Sequence, residues 1–373
     1  METCEVLVVG GGPAGSTLAG KLVQAGLDVL LLDSQTFPRQ KPCAGWITPE
    51  VFEVLALDAE EYRRERVLQD ISSFRTGLMN GKTVVTRYGR TVSYGIRRCE
   101  FDEYLLQRCR VRQSLGEPVT MLERKDGWWI VNRRIRTRLL VGAGGHFCPV
   151  AHQLGATLGR EEVVAAQVAE FAMSPEEERI CNTPADTPAL FFCRDMKGYG
   201  WLFRKGRYLN IGLGRMDAHN LARHAGEFCT FLSRNGYLAS GISVRFQGHT
   251  YRVFQGRGGR RRVGDGALLI GDAAGVAHPP SGEGILPAIE SALMAADVIL
   301  AANGDYRRDN LESYAARLAN RCCGGSVKDL TSPVLSGIVR FIGARLLSSS
   351  RFTRHIVLDR WFLHTNAKAD YSS

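Results

Sequence analysis

Several clusters along the chain have residue types and spacings suited to chemistry. Near the N-terminus Gly10, Gly12 and Gly15 stand as G-x-G-x-x-G, with Pro13 and Ala14 inside the motif and Asp33 closing the next apolar run. The first glycine of such a motif permits a tight turn, the second lets a pyrophosphate reach the backbone, and the third lets a helix pack on a strand. Amides and dipole at the helix start would hold the phosphates while the Asp33 carboxylate accepts from ribose hydroxyls, which is dinucleotide chemistry. Lys41-Pro42-Cys43-Ala44-Gly45 offers a thiol in a tight loop, and Arg98-Cys99-Glu100-Phe101-Asp102 gives R-x-x-F-D at a helix start. Gly271-Asp272-Ala273-Ala274-Gly275 follows a strand-like run and precedes Pro279-Pro280-Ser281-Gly282-Glu283-Gly284-Ile285 and a long apolar stretch.

Regular elements must hold these clusters in place. Glu5 to Gly10 reads as a buried parallel strand, Ala14 to Ala25 as a helix stopped by Gly26, and Asp28 to Leu32 as a second buried strand. Glu100 to Arg112 reads as a helix and Trp128 to Asn132 as a hairpin arm. Arg138 to Val141 and Ala267 to Ile270 read as strands returning to the same sheet, and Ile285 to Ala302 as a helix. Between them VVAAQVAEFAM, ALFFC, YGWLF, YLNIGLG and ISVRF suggest an antiparallel sheet, hence a separate substrate domain. In YGWLF, alternation puts Tyr199, Trp201 and Phe203 on one face as an aromatic wall. From Leu311 onward the pattern is mainly helical.

Composition bounds the class. The 373 residues are 45% hydrophobic and 23% charged, enough for two packed cores. Ten cysteines without a CxxC pair, and no signal-like start, suit a reducing, cytoplasmic setting. No stretch reaches the roughly eighteen apolar residues of a bilayer span. A net charge of +10 favours an acidic partner or is simply a solvated basic surface. The runs Arg133 to Arg136 and Arg257 to Arg262 lack interleaved aromatics and read as solvated loops or anion steering, so no nucleic-acid partner is expected. No metal-ligand spacing and no G-x-S-x-G elbow is present. Val334 to Leu347 spaces apolar residues at helical intervals, which fits either a core-packed helix or one lying peripherally on a membrane.

The segments GGGPAGSTLA, KPCAGWITP, RRCEFD, GYGWLF with its trailing NIGLG, and GDAAGVAHPPSGEGI together resemble the geranylgeranyl reductase family, within the flavoproteins built like p-hydroxybenzoate hydroxylase. The similarity covers most of residues 1–300. It implies an α/β fold: a Rossmann-like FAD-binding domain of GR2/PHBH type, an inserted antiparallel-sheet substrate domain and a helical C-terminal region. The expected boundaries are 1–80, 97–160 and 255–302 for the FAD domain, 81–96 and 161–254 for the substrate domain, and 303–373 for the helical region.

By the same resemblance FAD is held by Gly10, Gly12, Pro13, Ala14, Gly15, Asp33, Lys41, Cys43, Ala44, Arg98, Gly271, Asp272, Gly282, Gly284 and Ile285. Asp272 would bond a ribityl hydroxyl and Arg98 would contact the phosphate or adenine side, unless Arg98 is a surface ion pair with Asp102 or Glu103. Catalysis is implied at Cys43, beside the isoalloxazine, and at the amides of Gly282, Gly284 and Ile285, where a helix start favours the anion of reduced flavin. Tyr199, Trp201 and Phe203 would line the lipid cavity. The chain departs from the family pattern at Ala44 and Gly144, where glycine and aspartate are usual, and at Arg204, which replaces a proline.

The activity so implied is reduction of carbon–carbon double bonds in an isoprenoid, with NADPH or another donor visiting transiently to reduce FAD. Two rival readings stay open: a flavin monooxygenase or halogenase acting on a hydrophobic small molecule, and a flavin-bearing membrane-docking protein with little turnover.

Overall fold

A computed structural model describes residues 1–156, 163–217, 219–239, 242, 244–252, 260–278, 281–322 and 346–363. The chain forms two compact units, each from three separate stretches: unit 1 from 1–40, 99–162 and 251–326, and unit 2 from 41–98, 163–250 and 327–373. Residues 41–80, assigned to the nucleotide domain on sequence, group with unit 2 because the strand Ser73–Leu78 pairs with Ala189–Phe192 of the second sheet. Most of Val334 to Leu347, the amphipathic stretch, lies outside the described residues.

Unit 1 is the Rossmann-like layer. Ala267–Leu269, Ile135–Gly142, Glu2–Val9, Val29–Asp33 and Arg112–Leu115 lie side by side, all parallel. A strand covered on both faces must be apolar along its length, and Val29–Asp33 (VLLLD) is buried at every position. Helix Pro13–Gln24 follows the first strand, and helix Ile285–Ala301 is buried around most of its circumference. The hairpin Leu122–Lys125 and Trp128–Val131 joins antiparallel to Ile135–Gly142. The helix expected over Glu100 to Arg112 runs instead from Arg98 to Arg108. Arg110 takes a left-handed φ of 47°, and Arg112 opens the strand at the sheet edge.

Unit 2 is built on a seven-stranded sheet, in the order Gln247–Arg252, Val163–Ala172, Tyr208–Arg215, Gly198–Lys205, Ala189–Phe192, Ser73–Leu78, Thr83–Arg87. From Val163–Ala172 to Thr83–Arg87 the expectation of an antiparallel sheet holds except at Ala189–Phe192 with Ser73–Leu78, which run parallel. The strand read over ISVRF falls slightly later, at Gln247–Arg252. Helix Leu221–Arg234 covers one face, setting the Phe228 ring where a side chain on Gly200 would be, 2.5 Å from its Cβ position. The opposite face carries Tyr199, Trp201, Phe203 and Lys205 by strand alternation. Against it packs the ten-residue π-helical segment Thr353–Phe362, whose Phe362 stacks on Trp46 at 5.1 Å and meets Tyr199 edge-on at 5.4 Å. The π-helix is rare and mostly confined to single turns, so a run of this length is unusual. A small three-stranded sheet of Trp46–Ile47, Ser93–Ile96 and Leu68–Ile71 completes the unit.

Candidate active site

In unit 1 the glycine motif forms a turn no larger residue could make. Gly10 has φ +117°, and a Cβ there would lie 2.4 Å from the Ala143 carbonyl oxygen; one on Gly15 would lie 1.8 Å from that of Gly10. Gly12 is the N-cap of helix Pro13–Gln24, with Pro13 opening the first turn and no side-chain cap. The leading amides of that helix therefore remain available to an anion. Asp33, expected to accept from a ribose, braces the loop. Its Oδ2 accepts from the Gly11 amide at 2.7 Å and its Oδ1 from that of Gln35 at 2.9 Å, leaving further lone pairs on both oxygens.

Sequence reasoning missed Arg39. Its guanidinium lies 3.3 Å from the Cβ position of Gly12, stacks over Phe37 and pairs with the fully buried Asp102 at 3.2 Å. Asp102 is thus the partner of Arg39, and the R-x-x-F-D motif contributes a carboxylate that aims a cation at the glycine turn. The uncapped helix start, the two glycines without room for side chains and the adjacent guanidinium fit a pyrophosphate.

The second cluster of unit 1 surrounds Asp272. Gly271, at φ +59°, donates to Ser291 Oγ at 2.9 Å. Arg260 and Arg262 donate to the carbonyls of Ala273 and Ala274 at 3.0 and 3.1 Å. These two arginines were read as solvated, yet Arg262 is buried and clamps the loop. Gly282 has φ +71° and donates to the His278 carbonyl at 2.8 Å, while the His278 amide donates to that of Glu283 at 2.7 Å. This turn delivers Gly284 as the uncapped N-terminus of helix Ile285–Ala301, with its Cβ position 3.3 Å from Asp272 Oδ1. Asp272 and the helix-start amides of Gly284 and Ile285 consequently share one locale.

Unit 2 holds the thiol and the aromatic wall. The Gly45 amide donates to Cys43 Sγ at 3.3 Å, and the Cys43 carbonyl accepts from Asn210 Nδ2 at 2.9 Å. Ala44 packs into the apolar cluster with Trp46, Phe74, Phe203 and Phe362. Trp201 lies flat across Gly212, whose Cβ position is 2.1 Å from the indole Cζ2, and its Nε1 donates to Asn210 Oδ1 at 2.8 Å. That is the physical content of NIGLG: the asparagine fixes the indole and the glycine makes room for it. Arg98 begins the helix Arg98–Arg108, and Lys41 precedes the thiol loop as its sequence position requires.

Glu170 lies in the same face. Burial pushes its carboxyl up, but Lys205, Asn210 and Arg97 outweigh this and hold it below the ordinary carboxylate range. Lys205 Nζ donates to Glu170 Oε2 at 2.8 Å and to the Ile96 carbonyl at 2.7 Å, and Asn210 Nδ2 donates to Glu170 Oε2 at 3.0 Å. Nothing in local spacing marked Glu170 or Lys205, since strand register alone brings them together.

A glycine cradle leading into an uncapped helix, with a second uncapped helix start beside an aspartate, has the form of a Rossmann-type dinucleotide-binding domain. Residues 3–92 match the family model described as FAD binding domain. Menaquinone reductase of Mycobacterium tuberculosis H37Rv is 28% identical over 326 residues, covering 80% of this chain and 77% of that protein. Digeranylgeranylglycerophospholipid reductase of Methanococcus vannielii is 26% identical over 332 residues, covering 85% and 82%. The crystal structure of a geranylgeranyl bacteriochlorophyll reductase-like protein from Thermoplasma acidophilum superposes with a TM-score of 0.73 at 20% identity, covering 93% of this chain and 88% of that one, which bears on the fold alone. The chain is an FAD-dependent oxidoreductase, geranylgeranyl reductase-like in sequence.

Proposed function

We propose that the protein reduces carbon–carbon double bonds of a prenyl lipid. The observation that carries this is the inner face of the unit 2 sheet. Tyr199, Trp201, Phe203, Trp46, Phe74 and Phe362 form a continuous aromatic cluster, largely buried but with Trp46 and Tyr199 partly exposed at its margin, an apolar setting suited to a polyisoprenoid rather than to a polar metabolite. The two relatives support the reading, since their names specify a menaquinone and a digeranylgeranylglycerophospholipid, both of which carry a polyprenyl chain.

FAD, when bound, supplies two-electron redox chemistry. The chain's own residues do the rest. Gly12 to Gly15 and Arg39 hold the pyrophosphate, and Asp272 takes a ribityl hydroxyl. Gly282, Gly284 and Ile285 direct amides and a helix dipole at the flavin ring. Arg98 and Lys41 add positive charge to cofactor binding. The aromatic wall excludes water and orients the lipid, and Cys43 contributes a thiol. NADPH or another donor supplies the electrons in a transient encounter. No helix among the described residues is long and apolar enough to cross a membrane, and peripheral association with the lipid phase would suit such a substrate.

The test is anaerobic. The bound flavin is reduced with dithionite, geranylgeranyl diphosphate or a prenylated lipid without a quinone ring is added, and flavin reoxidation is followed together with the mass of the lipid. Reoxidation without oxygen and a gain of two mass units per bond is expected. Failure with several prenyl lipids, followed by oxygenated product once air is admitted, would replace the reading with a monooxygenase.

A further inference from the structure

We propose that Glu170, Lys205 and Asn210 are positioning residues for the Cys43 loop, acting as one buried scaffold that fixes where the thiol stands. Three anchors converge on that loop from the sheet. Asn210 Nδ2 holds the Cys43 carbonyl at 2.9 Å. Lys205 Nζ holds the Ile96 carbonyl at 2.7 Å, and the Ile96 amide in turn donates to the Gly45 carbonyl at 2.7 Å. Gly45 itself, at φ +62°, has a Cβ position 2.1 Å from the Ile96 carbonyl oxygen and 2.5 Å from Lys205 Nζ, so the loop is pressed directly onto the lysine.

The cost of this arrangement argues for a purpose. Lys205 is fully buried, and its stem runs tightly past Gly95, whose Cβ position is 3.2 Å from Lys205 Cγ. A buried ammonium is expensive to desolvate unless it is paired and hydrogen-bonded, and apolar residues replacing the whole pair are often no less stable. Here the ammonium is paired with Glu170 and spends a further donor on a loop carbonyl. Glu170 also receives Asn210 and an Arg97 Nε contact at 3.4 Å, so the carboxylate links both anchors. Trp201 completes the scaffold. Its indole N–H engages Asn210 Oδ1 at 2.8 Å, which orients the amide so that Nδ2 faces Glu170 and the Cys43 carbonyl. The aromatic wall and the thiol loop are therefore joined through a single asparagine.

That a displaced thiol would slow turnover rests on the proposed reductase reading; the positioning itself does not, and the test needs no lipid. The holoprotein is treated with iodoacetamide, and alkylation of the peptides containing Cys43, Cys193 and Cys229 is timed by mass spectrometry. The last two thiols serve as internal references within the same unit. Asn210→Leu removes the direct anchor, and one lost hydrogen bond corresponds to about a fivefold change in an equilibrium. Alkylation of Cys43 is expected to rise about fivefold or more while Cys193 and Cys229 keep their wild-type rates. A parallel rise at all three sites would reduce the scaffold to general stability, and an unchanged Cys43 rate would remove it altogether; either overturns the proposal. Trp201→Phe, which keeps an aromatic ring at the site and removes the N–H that orients Asn210, decides the matter should the leucine variant fail to fold. A selective rise of about twofold or more at Cys43 is expected, and a rate equal to wild type overturns the proposal. A protein that reduces no prenyl lipid yet shows the selective rise would refute the substrate and leave the scaffold standing.

Discussion

Replacing Gly212 by alanine places one methyl group under the Trp201 indole. The Cβ would stand 2.1 Å from Cζ2, far inside contact distance, and the ring cannot tilt away without breaking the 2.8 Å bond from Nε1 to Asn210. Overpacking a filled core costs about 1–3 kcal/mol, and leaving a buried donor and acceptor unpaired adds roughly 1–3 kcal/mol, so a loss of about 2–6 kcal/mol is expected. Urea unfolding of both proteins, followed by circular dichroism, measures it. A double-mutant cycle isolates the cause: in a Trp201→Leu background the same Gly212→Ala change should cost under about 1 kcal/mol, because the clash is then absent. An equal cost in both backgrounds would refute the reasoning, since the penalty would then belong to the strand and not to the indole.

Three further outcomes follow from the geometry. Gly15→Val drives a Cβ to within 1.8 Å of the Gly10 carbonyl oxygen and should yield protein purified without flavin, read as absent 450 nm absorbance; a yellow protein with full occupancy would dismiss the cradle. Arg39→Met removes a charge-assisted contact worth about 1.5–3 kcal/mol, so FAD affinity in a fluorescence titration should fall about tenfold to a hundredfold, and wild-type affinity would exclude Arg39 from phosphate binding. Glu170→Gln breaks a buried pair at a cost of roughly 3 kcal/mol at neutral pH. Because the folded carboxyl lies below its ordinary 4.5, its contribution is complete above that pH and disappears as pH falls through the lowered value. The stability gap between the two proteins should therefore close below about pH 4.5, and a gap constant with pH would show that the charge is not its source.

The parts of the site legible in the sequence are those that depend on neighbours along the chain. Gly10, Gly12, Gly15 and Asp33 announce a strand, a turn, a helix and a strand in one short run, and the alternation of Tyr199, Trp201 and Phe203 fixes their common face. What stayed hidden depends on register or on distant segments. Arg39 meets Asp102 across the fold, and Glu170 meets Lys205 only because Val163–Ala172 and Gly198–Lys205 flank the same strand, Tyr208–Arg215. Arg262 looked solvated because a run of arginines has the composition of a surface loop; the carbonyl it holds is twelve residues further on. The tail's helical pattern was readable, whereas the seating of Phe362 on the aromatic wall was not, since any amphipathic segment could have supplied a ring there.

The interleaving of the two units has a consequence for how the protein comes into being. Synthesis passes from one unit to the other five times, at residues 40, 98, 162, 250 and 326, and four of those passages come before either unit is complete. The strand Ala267–Leu269 that closes the parallel sheet is made long after its neighbours, and the segment that covers the aromatic face of unit 2 is made long after the strands beneath it. Until those later segments emerge, the nascent chain carries exposed strand edges and an uncovered aromatic surface, a condition that calls for chaperone protection and slow, long-range closure. For the same reason no single cut of the gene yields one unit alone; separating them requires rejoining three pieces of chain.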